Sequence, residues 1–224
     1  MTFSIAARCP RSGRFAVAVA SSSPAVAARC AHARAGVGAV LSQNVTDPRL
    51  GPQALNLMAL GATAGDAASI LRAHAVHAEY RQVAIVDAAG GVAGFSGSRC
   101  LGVHAVAEGE GAIAAGNLLA RASVPSAMVA AFAAAPEDDL GDRIVAAMRT
   151  GLSAGGEAGP VHSAGLLIVD SVPWPVADLR VDWHDAPIEE LGRLWRLWRP
   201  QLEGYVTRAL DPASAPSYGV PGEG

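Results

Sequence analysis

Hydrophobic and polar positions alternate at the start of the chain and again in several later segments. Residues 2–8 carry apolar side chains at every second position, which predicts a strand with one apolar face. A turn at residues 10–13 and a second apolar run at 14–21 predict that this strand belongs to a hairpin. Similar patterns predict strands at residues 36–43, 81–87, 92–95, 102–107, 111–116, 163–170 and 177–181.

A longer period between the strand segments predicts helices. Residues 51–60 and 64–75 have the pattern of two consecutive helices. Ser123 suits the N-cap of a third helix, and Pro136, followed by acidic residues that favour a helix N-terminus, opens a fourth. Apolar side chains at helical spacing predict a last helix over residues 187–202.

The order of these segments predicts the fold class. Strands and helices come in blocks, which argues against a parallel sheet built from βαβ units. We therefore expect an α+β fold, a four-layer αββα sandwich of two antiparallel sheets. Residues 1–210 are expected to form a single domain, and residues 211–224, rich in Pro, Ser and Gly, a flexible C-terminal tail.

Composition narrows the classes of partner. The 224-residue chain has a formal net charge of −3, so nothing electrostatic favours nucleic acid or an anionic membrane. Its apolar runs fall short of the roughly 18–20 residues that a membrane span needs, and its first residues lack the pattern of a signal peptide. Three cysteines without metal-like spacing suit a reducing cytosol. We expect a cytoplasmic protein without nucleic-acid or membrane partners; a homo-oligomer is left open.

Thr2 directly follows the initiator methionine. A small second residue favours removal of Met1, which would leave Thr2 with both a hydroxyl and a free α-amine. A hydroxyl is a poor nucleophile without an adjacent base, and an α-amine, with an ordinary pKa of about 7.7–8.0, is partly neutral near pH 7. Thr2 could therefore supply nucleophile and base together. The alternative is that Thr2 has no catalytic role and simply suits a strand.

Seven stretches spread along nearly the whole chain carry a family resemblance: residues 2–8, 18–21, 33–40, 79–83, 97–100, 116–117 and 178–182. Through them the sequence closely resembles a bacterial family, domain-of-unknown-function family 1028. The resemblance implies membership of the N-terminal-nucleophile (Ntn) hydrolase superfamily with a proteasome-β-like fold. It also implies that Thr2, at the start of the first strand, is the nucleophile.

The chain departs from the patterns of these families in two places. Proteasome-type sites use a lysine near the nucleophile, whereas all 17 basic residues here are arginines. Arg8, predicted on the same strand face as Thr2, could supply positive charge near Thr2 but cannot act as a base; the alternative is a structural partner for Arg8. The Gly-rich loop before Ser163 also departs from the family pattern, which often has a basic residue and a glutamine just before this serine. The substrate contacts that the resemblance implies for this loop are therefore not expected to carry over to this chain.

Two polar residues at strand ends complete the predicted catalytic group of Thr2, Arg8, Ser21 and Asn117. Ser21 ends the second strand, where folds related by the resemblance place a site side chain. Asn117 follows Gly116 at the end of another strand, where its amide could donate to an oxyanion. The alternatives are a polar turn before Pro24 for Ser21 and a turn cap for Asn117.

Three further residues are candidates for substrate binding. Gln43 and Asn44 lie where a strand ends, a usual position for site residues, although amides there also cap turns. Arg81 begins a strand and could hold a substrate carboxylate with a two-pronged contact, although a structural salt bridge is the main alternative. His74 and His77 lack an evident third ligand, so neither a metal nor another cofactor is expected.

Two functions remain open from the sequence. The first is an amidohydrolase in which Thr2 attacks a small or cyclic amide. The second is a non-catalytic protein that binds a ligand on the same fold, a reading that the missing lysine favours.

Overall fold

Antiparallel strands form the centre of the molecule. The structure, a computed structural model, describes residues 1–220. Its strands are β1 (Thr2–Arg8), β2 (Phe15–Ser21), β3 (Ala31–Arg34), β4 (Gly38–Asn44), β5 (Arg81–Asp87), β6 (Val92–Ser96), β7 (Ala105–Gly109), β8 (Ala112–Asn117), β9 (Ser163–Val169) and β10 (Pro175–Val181).

Helices cover both outer faces of the strand layers. They are α1 (Ala27–Cys30), α2 (Leu50–Ala59), α3 (Ala64–His74), α4 (Val124–Ala133), α5 (Leu140–Ser153), α6 (Pro187–Trp198) and α7 (Leu202–Leu210), with 3-10 turns at Ala78–Tyr80 and Arg199–Gln201. Among the helices within residues 1–220, none combines the length and the apolar character needed to cross a bilayer.

The strands form two antiparallel sheets. One sheet has six strands in the order β10-β9-β2-β1-β8-β7, and the other has four in the order β3-β4-β5-β6. One apolar core lies between the six-stranded sheet and helices α4, α5 and α6, a second lies between the sheets, and a third lies between the four-stranded sheet and helices α2 and α3. The predicted α+β sandwich of two antiparallel sheets is confirmed.

Strand β1 shows how the sequence pattern produces these layers. Phe3 and Ile5 belong to the core under the helices, and Ala6 belongs to the core between the sheets. Because successive side chains of a strand point to opposite faces, one buried strand contributes to two cores. Strand β1 has neighbours on both sides, β2 and β8, and therefore lies in the interior of the six-stranded sheet.

The structure differs from the prediction mainly at helix ends. The fourth predicted helix begins at Leu140, not at Pro136, because the Asp139 side chain caps it by accepting from the Gly141 backbone N–H at 2.8 Å. The last helix ends at Trp198, and α7 follows after a 3-10 turn. The short elements α1 and β3 were missed, since four residues give too little periodicity.

Part of the predicted tail contacts helix α7. The Arg208 guanidinium donates to the Pro216 carbonyl at 2.9 Å and stacks on the Tyr218 ring, 3.9 Å from its centroid. The prediction for residues 221–224 lies outside the described residues.

Candidate active site

A row of polar side chains crosses one end of the six-stranded sheet. Thr2 lies directly opposite Asn117 on β8, and Ser21 lies directly opposite Ser163 between β2 and β9. Since Phe3 pairs with Ala20, Ser21 is also the neighbour of Thr2 across β1 and β2. The four polar residues are buried. The strand register therefore places two hydroxyls and an amide around Thr2.

This row faces the second sheet. The Ser4 hydroxyl, two residues after Thr2, donates to Gln43 Oε1 on β4 at 2.6 Å, across the space between the sheets. Residues two apart on a strand share a face, so the Thr2 side chain projects into the same layer. Phe3, between them, packs under the helices instead. Thr2 thus lies at one end of the layer between the two sheets.

Gln82 links the two sheets beneath Thr2. Its Oε1 accepts from Gln43 Nε2 at 2.8 Å and from Asn117 Nδ2 at 3.1 Å. Its Nε2 donates to the Gly116 carbonyl and to the Ser96 hydroxyl, both at 2.9 Å. These bonds fix the Asn117 amide with its nitrogen towards Gln82. Within residues 1–220, Asn117 Oδ1 has no hydrogen-bond partner.

Met1 covers the Thr2 side chain. The Met1 carbonyl accepts hydrogen bonds from the Thr2 hydroxyl, at 2.5 Å, and from the Ser21 hydroxyl. Met1 is itself 37% exposed, whereas Thr2 is only 5% exposed. Removal of Met1 would therefore uncover the Thr2 hydroxyl, release the Ser21 hydroxyl and create an α-amine beside both.

Glu157 is a buried acid at the same end of the sheet. Its loop is joined to the segment after β8 by a bridge between Leu119 and Glu157 and by a hydrogen bond from Ala158 N to Leu118 O at 2.8 Å. Burial raises the pKa of the Glu157 carboxyl to about 7, although the nearby Met1 ammonium, and more weakly Ser22, act in the opposite direction. Ser22 lies near, but in the described part of the chain no hydrogen bond of ordinary geometry reaches either carboxylate oxygen.

Arg8 is not part of this group, and the prediction that it lies within reach of Thr2 was wrong. The two residues share a strand face but begin and end the seven-residue strand β1, which separates them by about 20 Å. Arg8 instead lines a small cavity at the opposite end of the sheet, with Glu110, Phe132 and Arg143.

The predicted substrate-binding residues divide between two places. Gln43 contacts Ser4 and Gln82 and so belongs to the network under Thr2. The Asn44 amide donates to the Tyr80 carbonyl and accepts from the Leu101 N–H, so both of its partners are backbone groups. Arg81 precedes Gln82 and therefore faces away from the first sheet, where it donates to the Val45 carbonyl. The structure does not bring Arg81 to Thr2, because neighbouring strand residues point to opposite faces.

Comparison with known proteins assigns the family. Residues 2–191 match the model of a family of unknown function, DUF1028. The chain belongs to this family. A crystal structure of protein SPO2555 from Silicibacter pomeroyi, assigned to DUF1028, is 30% identical, has a TM-score of 0.81 and is matched over 88% of each chain.

A more distant match is Anbu (ancestral beta-subunit) from Yersinia bercovieri, at 12% identity and a TM-score of 0.41, over 96% of this chain and 99% of that one. This likeness is too low to support an argument. No curated protein matches the chain.

Sequence reasoning missed Glu157, Gln82 and Ser163 as members of the group in this DUF1028 chain. Gln82 gave a usable signal, because a polar residue that directly precedes the apolar run 83–86 of a buried strand must find partners inside the protein. Glu157 gave a weaker one, a lone acid in a Gly-rich loop. Among residues 1–220, no group of three or more His, Cys, Asp and Glu side chains forms a cluster that could hold a metal ion.

Proposed function

We propose that the chain, after loss of Met1, is an amide hydrolase of the N-terminal-nucleophile type in which Thr2 is the nucleophile. The observation that carries the proposal is the position of Thr2. Its hydroxyl lies at the end of an interior strand, covered by the Met1 residue that processing would remove and flanked by Ser21 and Asn117. The two-sheet sandwich with helices on both faces supports assignment to the Ntn superfamily.

The chemistry follows from one residue that carries hydroxyl and amine together. The neutral amine accepts the Thr2 hydroxyl proton while Oγ1 attacks the amide carbon, and the carbonyl oxygen becomes an oxyanion. The C–N bond then breaks, and the amine passes the proton to the leaving nitrogen. Water attacks the resulting ester, releases the acid and restores the Thr2 hydroxyl. No metal or organic cofactor is needed for these steps.

Ser21 is suited to stabilise the oxyanion. Its hydroxyl donates to a carbonyl oxygen, that of Met1, in the unprocessed chain. When Met1 leaves, the same donor becomes free at the place where a substrate carbonyl would lie beside Thr2. A donor fixed before the reaction is worth more to the transition state than one that must reorient. Ser21 is therefore assigned to the carbonyl oxygen, and Thr2 to the carbonyl carbon.

The second candidate is a non-catalytic protein that binds a small ligand at the same place. The absence of lysine favours it, because no side-chain amine can assist proton transfer from Thr2. The position of Arg8 adds to this argument, since its charge lies far from the site. Both candidates take a small amide or a related ligand, and only turnover distinguishes them.

The test begins with the intact mass of the purified protein, which reports whether Met1 is removed. The processed protein is then screened with small linear amides and lactams, and products are read by mass spectrometry. Thr2→Ala should lower turnover by about 10³-fold or more, whereas Thr2→Ser should retain part of it. Thr207→Ala, an equivalent change on exposed helix α7, is the control. Full turnover in processed Thr2→Ala would contradict the proposal, as would retention of Met1 in active protein.

A further inference from the structure

Three buried acceptor atoms at the head of β1 lack donors. They are the two carboxylate oxygens of Glu157 and Oδ1 of Asn117, none of which has a hydrogen bond of ordinary geometry among residues 1–220, although Ser22 lies near Glu157. Glu157 is 3% exposed and Asn117 is 0% exposed, so solvent does not compensate them. A buried acceptor without a donor costs about 1–3 kcal/mol, and a charged one costs more. A group with several N–H donors would satisfy these acceptors.

The backbone brings these acceptors to the chain terminus. Asn117 is opposite Thr2, and Glu157 is bridged to Leu119, two residues beyond Asn117. The same loop reaches Met1, since a side chain at Gly159 would meet the Met1 terminal methyl at 3.4 Å. The acceptors therefore surround the point where strand β1 begins.

Besides Ser22, the chain terminus is a source of donors close to Glu157. The Met1 ammonium lies close enough for its charge to act on Glu157, but it makes no hydrogen bond to the carboxylate. Loss of Met1 moves the ammonium by one residue, about 3.8 Å, onto Thr2. Thr2 belongs to β1 and is held on both sides by the sheet, whereas Met1 precedes the strand and is exposed. The three N–H donors would then belong to a fixed residue.

We propose that Glu157 is a positioning residue that binds the Thr2 ammonium once Met1 has left, with Asn117 Oδ1 as a second acceptor. The inference rests on the proposed function, because it gives the amine of that mechanism a fixed place beside Oγ1. It also accounts for a carboxylate that is buried without a hydrogen bond of ordinary geometry, among residues 1–220, in the chain that still carries Met1.

Other charged groups near the site do not replace Glu157. At the start of β9, His162 stacks on Trp183 with ring centroids 4.3 Å apart. Beyond β8, Arg121 lies against Gly155. On β1, β2 and β8 the row around Thr2 consists of uncharged side chains. The carboxylate of Glu157 is thus the charge that acts on the Thr2 amine, and it favours the ammonium form.

Because the chain has no lysine, the pKa of the terminal α-amine can be measured by chemical modification. The terminal α-amine is the only primary amine in the whole sequence, so intact mass reports its acylation by acetic anhydride without interference from lysine. The pH at which the acylation rate reaches half its maximum gives the pKa of the amine. The assay compares the wild type, Glu157→Gln, Glu157→Asp and Glu110→Gln. The last variant makes the same charge change at the opposite end of the sheet. Protein that retains Met1 is replaced by a chain released at Thr2 from a cleavable fusion.

We expect Glu157→Gln to lower the amine pKa by about one unit, which makes acylation at pH 7 up to about tenfold faster. Glu157→Asp, which keeps the charge, should lie between this variant and the wild type, and Glu110→Gln should match the wild type. Equal amine pKa values in the wild type and a folded Glu157→Gln would overturn the inference, as would an equal shift in Glu110→Gln.

This result is independent of turnover. A shifted amine pKa without any hydrolysed amide would leave Glu157 as the partner of the amine and remove the proposed function. Turnover that depends on Thr2, together with an unshifted amine pKa, would retain the function and remove the role of Glu157.

Discussion

Replacing Gln82 with methionine tests whether the polar network under Thr2 holds the two sheets together. Methionine has nearly the same length but neither donates nor accepts a conventional hydrogen bond. The change removes the bonds from Gln43 and Asn117 to Oε1 and those from Nε2 to Gly116 and Ser96. These bonds join four different strands, and two of them cross between the sheets.

The expected cost can be worked from the partners left behind. Gln43 Nε2 and Asn117 Nδ2 belong to side chains that are 0% exposed, so each becomes a buried donor without an acceptor. Each orphaned group costs about 1–3 kcal/mol, while Ser96 is only half-buried and can turn to water. Since methionine adds some apolar contact, we expect Gln82→Met to lower the free energy of unfolding by about 3 kcal/mol.

Urea denaturation at pH 7, followed by circular dichroism, measures this loss. Gln53→Met on the exposed surface of α2 is the matched control and should change the free energy of unfolding by less than about 0.5 kcal/mol. A loss below about 1 kcal/mol in Gln82→Met would show that the network does not stabilise the sandwich, and the reasoning from orphaned donors would then be wrong.

Two further predictions concern stability away from the site. Hydrogen bonds from Arg49 lower the pKa of Asp47 to about 2, so the Asp47 carboxylate stabilises the fold above its unfolded pKa of 3.8. Asp47→Asn should cost less than about 1 kcal/mol at pH 6, because solvent screens the exposed Arg49 guanidinium that pairs with Asp47. The difference from the wild type should vanish in acid denaturation as the pH falls towards 2. Gly141→Ala should lower the thermal midpoint by several degrees, because a methyl group there meets the rigid Trp195 ring, whereas Gly65→Ala on α3 should not lower it.

The sequence was sufficient to predict the two sheets and the position of Asn117 beside Thr2. Alternation identified β1 and β8, and Asn117 was predicted correctly to lie close to Thr2, because antiparallel pairing brings the start of one strand to the end of the other. The prediction that Arg8 lies near Thr2 was wrong because alternation gives the face on which a residue lies but not its distance along the strand. Arg81 faces away from Thr2, since the inward side chain at this point of β5 belongs to its neighbour Gln82. A substrate-binding role for Arg81 stays a prediction.

The position of Glu157 could not be predicted in the same way. It lies in a loop, where no periodicity indicates direction, and its burial depends on the bridge to Leu119, about 40 residues earlier in the chain. That contact is set by the register of β8 and by the path of helices α4 and α5 between the two segments. Only the folded chain shows that this acid lies close enough to the chain terminus for the two charges to interact.

The corrected positions of Arg8 and Glu157 change the expected pH dependence of the proposed reaction. A nearby arginine would have lowered the pKa of the Thr2 amine, but Arg8 lies at the far end of β1 and its charge is screened over that distance. The neighbouring carboxylate of Glu157 favours the ammonium instead, so the amine should titrate at or above its ordinary value of about 7.7–8.0.

Because only the neutral amine can accept the hydroxyl proton, turnover by the processed enzyme should rise with pH and reach half its maximum at or above about pH 8. In Glu157→Gln the half-maximal pH should move down by about one unit, while the maximal rate falls because the amine is no longer held beside Oγ1. A wild-type profile already at its plateau at pH 7 would mean that another group removes the proton from Thr2.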